Sequence, residues 1–269
     1  MTYSHLAHSF LSTPLAIMLS FSSLQFIALI LGQIIGRFFA CLLLIRSFFN
    51  IISEISDSGF INKSKELLSK YRKFIFFETP HSILNFISQK YIIAFFTAFF
   101  GLLTVGVFDL ADKILGKPLG VISNSFKTVF YKRLTTAKDK LSIFKKSILL
   151  MTVISLLLTT PFYLIPDTFF VILLGQEWSD VGKYIQLICP LLFSRFIFNV
   201  ITPAISYTLQ NHFLLIWQIF YMLCLVLLFS IIQEFHVEKV LFLYSIFGAL
   251  MYALLGLIAF LVLKKHIQT

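Results

Sequence analysis

Six positively charged side chains, Arg37, Lys90, Lys113, Lys117, Lys127 and Arg195, fall inside stretches that are otherwise apolar. An ionisable group at membrane depth is expensive, and such residues face a bundle interior or a watery cavity. Their spacing sorts them into stripes. Asp109, Lys113, Lys117, Gly120, Asn124, Lys127 and Tyr131 recur at steps of three or four, which places them on one helical face. Arg195, Asn199, Thr202, Ser206 and Gln210 form a second stripe. Glu78, Ser82, Asn85 and Gln89 form a third, with Lys90 beside it, and Thr152, Ser155, Thr159 and Tyr163 a weaker fourth. The chemistry open to such faces is charge neutralisation and hydrogen bonding out of bulk water. Asp109 and Lys113 stand at i,i+4 in the favourable order, so local pairing accounts for them. Arg195 has no carboxylate within one turn and requires an anion from another helix or from a ligand.

The elements that carry these stripes are apolar runs of about membrane-crossing length, approximately 4–21, 24–45, 76–100, 104–131, 147–173, 184–208, 212–233 and 240–263. At about 1.5 Å per residue, a run of roughly 20 residues crosses a hydrocarbon layer about 30 Å thick. The loops between the runs alternate in charge. Arg46, Lys63, Lys65, Lys70, Arg72 and Lys73 fall in one loop, Lys132, Arg133, Lys138, Lys140, Lys145 and Lys146 in another, and Lys264 and Lys265 in the tail. The opposite loops hold only Lys183 and Lys239, so fourteen cations face two, and the basic side is expected to be cytoplasmic.

Composition agrees: 58% of residues are hydrophobic and 13% charged, with a mean hydropathy of +0.92. A water-soluble globular core is excluded. Continuous apolar runs without ten-residue alternation exclude a β-barrel. The fold class is therefore all-α, a polytopic membrane helical bundle of about eight transmembrane helices. The net charge of +10 comes mostly from the basic loops, so it points to membrane lipids and not to nucleic acid. Cys41, Cys189 and Cys224 stand alone in apolar segments and the histidines are scattered, so neither metal nor cofactor is expected. Met1 to Ser9 lacks the charged start of a signal peptide, and the first segment reads as the end of a membrane helix.

Gly32 and Gly36 make a G-x-x-x-G that allows close helix approach. Pro80, Pro118, Pro161, Pro190 and Pro203 lie in or at the ends of spans and are expected to kink or break them. The last two segments carry few polar groups in their middles and read as lipid-facing insulation. The domain reading is a helix pair over 1–46, a cytoplasmic basic linker over 47–73 with Lys63 to Lys73 as a basic amphipathic helix, and a six-helix unit over 74–269. No P-loop, nucleophile elbow, zinc-protease or dinucleotide pattern occurs, so ATP-driven transport by this chain alone is not expected, while a membrane-embedded glycosyltransferase or polymerase stays open.

Three strings carry a family resemblance. Leu173-Leu174-Gly175-Gln176-Glu177-Trp178, followed by Val181-Gly182-Lys183-Tyr184-Ile185 and Leu187 to Leu192, resembles the "G-x-x-W" signature of polysaccharide flippases. These are the Wzx-type O-antigen and capsule exporters of the multidrug/oligosaccharidyl-lipid/polysaccharide superfamily. Gly106-Val107-Phe108-Asp109-Leu110-Ala111-Asp112-Lys113 with Pro118-Leu119 is similar to that family's "G-x-Y-x-L-A-x-R … P-L" helix. Leu31-Gly32-Gln33-Ile34-Ile35-Gly36 is similar to its "L-G-Q-x-x-G" helix. The resemblance implies two six-helix lobes around a central cavity in the bacterial inner membrane. It also implies a lipid-linked oligosaccharide substrate, carried on polyprenyl pyrophosphate for lipopolysaccharide or capsule synthesis. Against that pattern the chain matches the carboxy-terminal lobe plus the last two helices of the amino-terminal lobe. Such a chain is expected to need a separate amino-terminal half, or self-association, in order to flip.

In that frame Arg195, Lys90, Lys117 and Lys127 are the candidates to meet the pyrophosphate, and Asn85, Gln89, Asn124 and Asn199 to bond sugar hydroxyls. Glu78, Asp109 and Asp112 are the candidates for ion coupling. The rival readings are a drug or cation exporter of the same superfamily, a membrane-embedded glycan polymerase or ligase, and an inactive fragment. The excess of cations within spans favours an anionic substrate over the first rival. Short outer loops, Gly101 to Gly106, Gly175 to Lys183 and Gln233 to Lys239, disfavour the second.

Overall fold

The computed structural model describes residues 59–268 together with Pro14, Met18, Ile27, Leu31, Gly32, residues 34–39, Cys41, Leu42 and Ile45. From residue 59 onward, described side chains are Lys65, Glu66, Ser69, Arg72 and those from Phe76 on except Asp167. All of the expected span 4–21 but Pro14 and Met18, part of 24–45 and the linker from 47 to 58 lie outside the described residues. The chain divides into two compact units, Met1–Tyr71 and Arg72–Thr269. In the first, the described positions ahead of residue 46 are helical. Gly32 and Gly36 are buried there, while Ile34, Arg37, Phe38 and Phe39 are exposed.

The elements are α1 (Gly59–Thr136), α2 (Lys140–Thr159), α3 (Pro161–Leu164), α4 (Asp167–Leu174), a 3-10 turn at Gln176–Trp178, α5 (Val181–Ile201), α6 (Pro203–Tyr207), α7 (His212–Ile232) and α8 (Val237–Gln268). No strand occurs among the described residues. Apolar length predicts about eight spans; five helices among the described residues are long and apolar enough to cross a membrane. They are Phe76–Thr136, Lys140–Leu164, Gln176–Tyr207, His212–Ile232 and Val237–Gln268.

The first of these is not straight. Gly101 has φ 81° and ψ 172°, a conformation open essentially to glycine alone, and the helix folds back there. The rings of Phe96 and Phe108 stack at 5.0 Å, whereas twelve residues of straight helix would hold them about 18 Å apart. The break falls at Gly101 and not at Pro80 or Pro118, both of which are carried inside helical backbone. A proline costs a helix one donor but permits helical dihedrals, while the Gly101 pair of angles does not.

The span expected over 147–173 is shifted. Lys140 begins the helix, capped by Asp139, whose carboxylate accepts from the Ser142 backbone N–H at 3.0 Å. Pro161 restarts it as α3, and Ile165 and Pro166 are extended, as a residue before proline prefers, so 167–174 forms a separate helix.

Named contacts give the directions. Lys183 pairs with Glu238, Leu191 N–H donates to Ser245 Oγ, and Tyr207 meets His266, so α5 and α8 run parallel. Ser155 Oγ donates to the Phe193 carbonyl and Tyr163 Oη to that of Gln186, so α2 runs antiparallel to α5. Gln218 Nε2 donates to Ser88 Oγ and Trp217 Nε1 to the Met251 carbonyl, so α7 follows the first arm of α1 and opposes α8. Such hydroxyl, amide and indole links supply adhesion where lipid removes the hydrophobic drive between helices.

The crossing arms therefore share two ends. Lys140 over the Tyr207 ring (5.8 Å), Tyr207 against His266 and Phe77 against His212 mark one end, which carries Arg133, Lys138, Lys264 and Lys265. The Gly101 bend, Trp178 beside Gly106 and the Lys183–Glu238 pair (2.5 Å) mark the other, which carries Glu177, Asp180 and Glu234.

Candidate functional site

Pro190 shows how the sequence shapes the bundle around the site. It removes one donor from α5 and leaves the Gln186 carbonyl without its helical partner; Tyr163 Oη takes that carbonyl at 3.0 Å. The adjoining Leu191 N–H is held by Ser245 Oγ at 3.1 Å. One turn beyond, α5 presents Leu192, Arg195, Phe196 and Asn199 to a cleft of about 320 Å³. The first arm of α1 contributes Asn85 and Gln89. The second contributes Gly116, Leu119, Gly120, Ser123 and Asn124, and α8 contributes Tyr252.

Helical periodicity makes this wall. Asn85 and Gln89, Gly116, Gly120 and Asn124, and Arg195 and Asn199 each step by four, so each set lies on one face of its helix. The Gly101 bend sets the first two faces side by side. Glycine at 116 and 120 leaves room: a Cβ at Gly120 would meet nothing within 4 Å, and one at Gly116 would lie 3.1 Å from Asp112 Oδ1. Gln89 Nε2 donates weakly to Asn85 Oδ1 at 3.4 Å, so much of the amides' hydrogen-bonding capacity remains toward the cleft.

Arg195 is the one cation of the cleft wall. Its nearest carboxylate is Asp112, from the second arm of α1, with Nη1 and Oδ1 4.0 Å apart. That separation is an ion pair but not a hydrogen bond, and among the described residues no acceptor bonds the guanidinium. Inward of Arg195 a recess of about 30 Å³, large enough for a water, is bounded by Ser88, Trp217, Gln218, Tyr221, Tyr244 and Tyr252. Trp217 and Tyr221 stack at 5.4 Å.

Of the residues singled out from sequence, Arg195, Asn85, Gln89, Asn124 and Asn199 stand together on the cleft. Lys90, Lys117 and Lys127 do not line it. All three are exposed, with Lys90 5.6 Å from the Phe86 ring centre and Lys127 within electrostatic reach of His81 on the first arm. Asp109 is engaged by Lys113. Glu78 stands by the basic end, where its Oε1 lies 3.9 Å from His81 Nδ1 and its buried Oε2 has no hydrogen-bond partner. The Thr152 to Tyr163 stripe is structural: Thr152, Ser155, Thr159 and Tyr163 each donate to a backbone carbonyl.

The last two segments do carry exposed apolar faces, Ile216, Leu223 and Leu227 on α7 and Leu250, Leu257 and Leu261 on α8, but they are not insulation alone. Gln218, Tyr221, Tyr244 and Ser245 are buried and Tyr252 lines the cleft. The signal was present in Tyr244, Gly248, Tyr252 and Gly256, a step of four that places phenols and small residues on one face of α8.

A multi-pass helical membrane protein with an amide- and arginine-lined cleft among its spans is the class this fold defines. The chain belongs to the polysaccharide biosynthesis protein family, whose model matches residues 1–183. The match covers the cleft residues of α1, while Arg195, Asn199 and Tyr252 lie beyond it. No curated protein and no solved structure matches the chain.

Proposed function

We propose that this protein translocates a polyprenyl-pyrophosphate-linked oligosaccharide across the bacterial inner membrane for surface polysaccharide synthesis, of the O-antigen, lipopolysaccharide or capsule kind, acting as a transporter and not an enzyme. The observation that carries the reading is the Arg195 guanidinium, which has no hydrogen-bonded acceptor and borders a cleft lined by four side-chain amides inside an apolar bundle. A lipid-borne pyrophosphate must draw a charged group through hydrocarbon, and a cation with hydrogen-bonding neighbours lowers that cost. The amides of Asn85, Gln89, Asn124 and Asn199 supply donors and acceptors suited to sugar hydroxyls. Membrane lipid is the other partner of the bundle.

Ion coupling is assigned to carboxylates at membrane depth. Asp112 has the strongest claim, because it faces Arg195. Asp109, held by Lys113, and Glu78, beside His81, are weaker candidates. A drug or cation exporter would place acids on the cleft wall, and among the described residues none lines it.

The test is flipping of a fluorescent lipid-pyrophosphate oligosaccharide in proteoliposomes by the purified full chain, alone and with a separate four-helix amino-terminal segment, alongside complementation of a flippase-deficient strain by the same two combinations. Arg195→Leu is expected to abolish flipping with normal membrane insertion, and Arg195→Lys to keep a fraction of it, because lysine preserves the charge but loses the fork. Unimpaired flipping by Arg195→Leu would sink the proposal.

A further inference from the structure

The loose Arg195–Asp112 pair has a shape that a purely structural ion pair lacks. Its two members come from different helices, α5 and the second arm of α1, and stand 4.0 Å apart without a hydrogen bond. Both side chains are about one-third exposed, 34% for Arg195 and 35% for Asp112, so an anion in the cleft reaches the guanidinium. A stability-driven pair would close to hydrogen-bond distance, since removing two charges from water is repaid only by good geometry. Gly116, one turn along α1, matters as well. A Cβ there would crowd Asp112 Oδ1 at 3.1 Å, so glycine leaves the carboxylate room to move. The remaining groups facing Arg195 are the phenols of Tyr221, Tyr244 and Tyr252, so Asp112 is the one anionic neighbour the described residues supply.

We infer that Asp112 is a built-in competitor for the anion site: it holds Arg195 when the cleft is empty, yields it to a diphosphate group, and recaptures it to expel that group after translocation. The inference rests on the anionic-substrate reading above and adds the residue that sets affinity and release. A transporter gains nothing from binding its cargo so tightly that it cannot leave. A carboxylate positioned near the cation, but not bonded to it, limits affinity without occupying the site.

The probe is inorganic pyrophosphate, titrated calorimetrically onto the full chain in phosphatidylcholine nanodiscs. Asp112→Asn is expected to tighten binding about tenfold, a modest share of what a unit charge 4 Å away exerts in a half-screened setting. Asp112→Glu extends the carboxylate to close the gap, keeps the charge, and is expected to weaken binding. Arg195→Gln is expected to abolish it. Opposite responses in the two Asp112 variants are what competition requires, and the charge-preserving variant keeps the test alive if the neutral one does not fold. If wild type binds, Arg195→Gln does not, and Asp112→Asn or Asp112→Glu leaves affinity unchanged, competition is overturned while the anion-binding reading stands. If neither wild type nor Asp112→Asn binds pyrophosphate, both fall. Repeating the titration in nanodiscs that also contain phosphatidylglycerol separates the sources of phosphate. Pyrophosphate affinity that survives supports a transported group as the occupant, and affinity that vanishes assigns Arg195 to bilayer headgroups and overturns the inference.

Discussion

Tyr163 Oη donates to the Gln186 carbonyl at 3.0 Å, the acceptor that Pro190 deprives of its helical donor four residues on. A defect in α5 is thus repaired by a side chain of α3, one turn from the wall that presents Arg195. Tyr163→Phe is expected to lower stability by about 1 kcal/mol, the usual net worth of such a bond. In a Pro190→Ala background the same change should cost almost nothing, because the helix again supplies its own donor. A double-mutant cycle of unfolding in mixed micelles reads the difference, and equal costs in both backgrounds would show that Tyr163 acts elsewhere.

Gly101 and Gly175 both occupy positive φ, 81° and 97°, with open space where a Cβ would stand. Alanine at either is expected to cost about 1–3 kcal/mol through backbone strain alone. Gly120, equally open but in a helix, should accept alanine with no loss or a slight gain. Thermal midpoints in detergent check the contrast; a Gly101→Ala protein as stable as Gly120→Ala would deny that the α1 hairpin depends on glycine.

On α8, Gly248 and Gly256 lie where α5 presses closest. A Cβ at Gly256 would fall 2.2 Å from Phe198 Cδ1, and one at Gly248 2.3 Å from Leu191 Cδ1. Gly256→Ala is expected to destabilise by about 1–3 kcal/mol, as overpacking does, and Phe198→Leu should recover part of that loss. No recovery on trimming Phe198 would mean that the collision is relieved by helix movement.

The two ends of the bundle differ in charge, and the basic end is expected to face the cytoplasm. With Cys41, Cys189 and Cys224 replaced by serine, a single cysteine at Ala137 should label only after permeabilisation, and one at Gln233 in intact cells. The reverse pattern would invert the topology.

Much of this was legible along the chain. Apolar length and the loop charges determine that the protein is helical, crosses the membrane several times and has a basic side, because backbone groups in lipid must bond within their own helix. Period-four polar stripes brought Asn85, Gln89, Asn124, Arg195 and Asn199 forward, since residues four apart share a face whatever the helix packs against.

What lies opposite each face was decided only by the tertiary structure. The second arm of α1 holds Asp109, Asp112, Lys113, Lys117, Asn124 and Lys127 within a few turns, yet Asn124 reaches the cleft, Asp112 reaches Arg195, and the lysines do not line the cleft. At about 100° per residue Lys113, Lys117 and Asn124 fall within about 40° of one another, so helical angle does not separate those fates, and the sequence carries no record of the neighbour each residue meets. The same limit hid α8, which reads as lipid-facing along the chain, whereas Tyr252 lines the cleft with Arg195. Asp112 and Arg195 are separated by 83 positions in the chain, so their meeting belongs to the fold, through the Gly101 bend and the run of α5 alongside it.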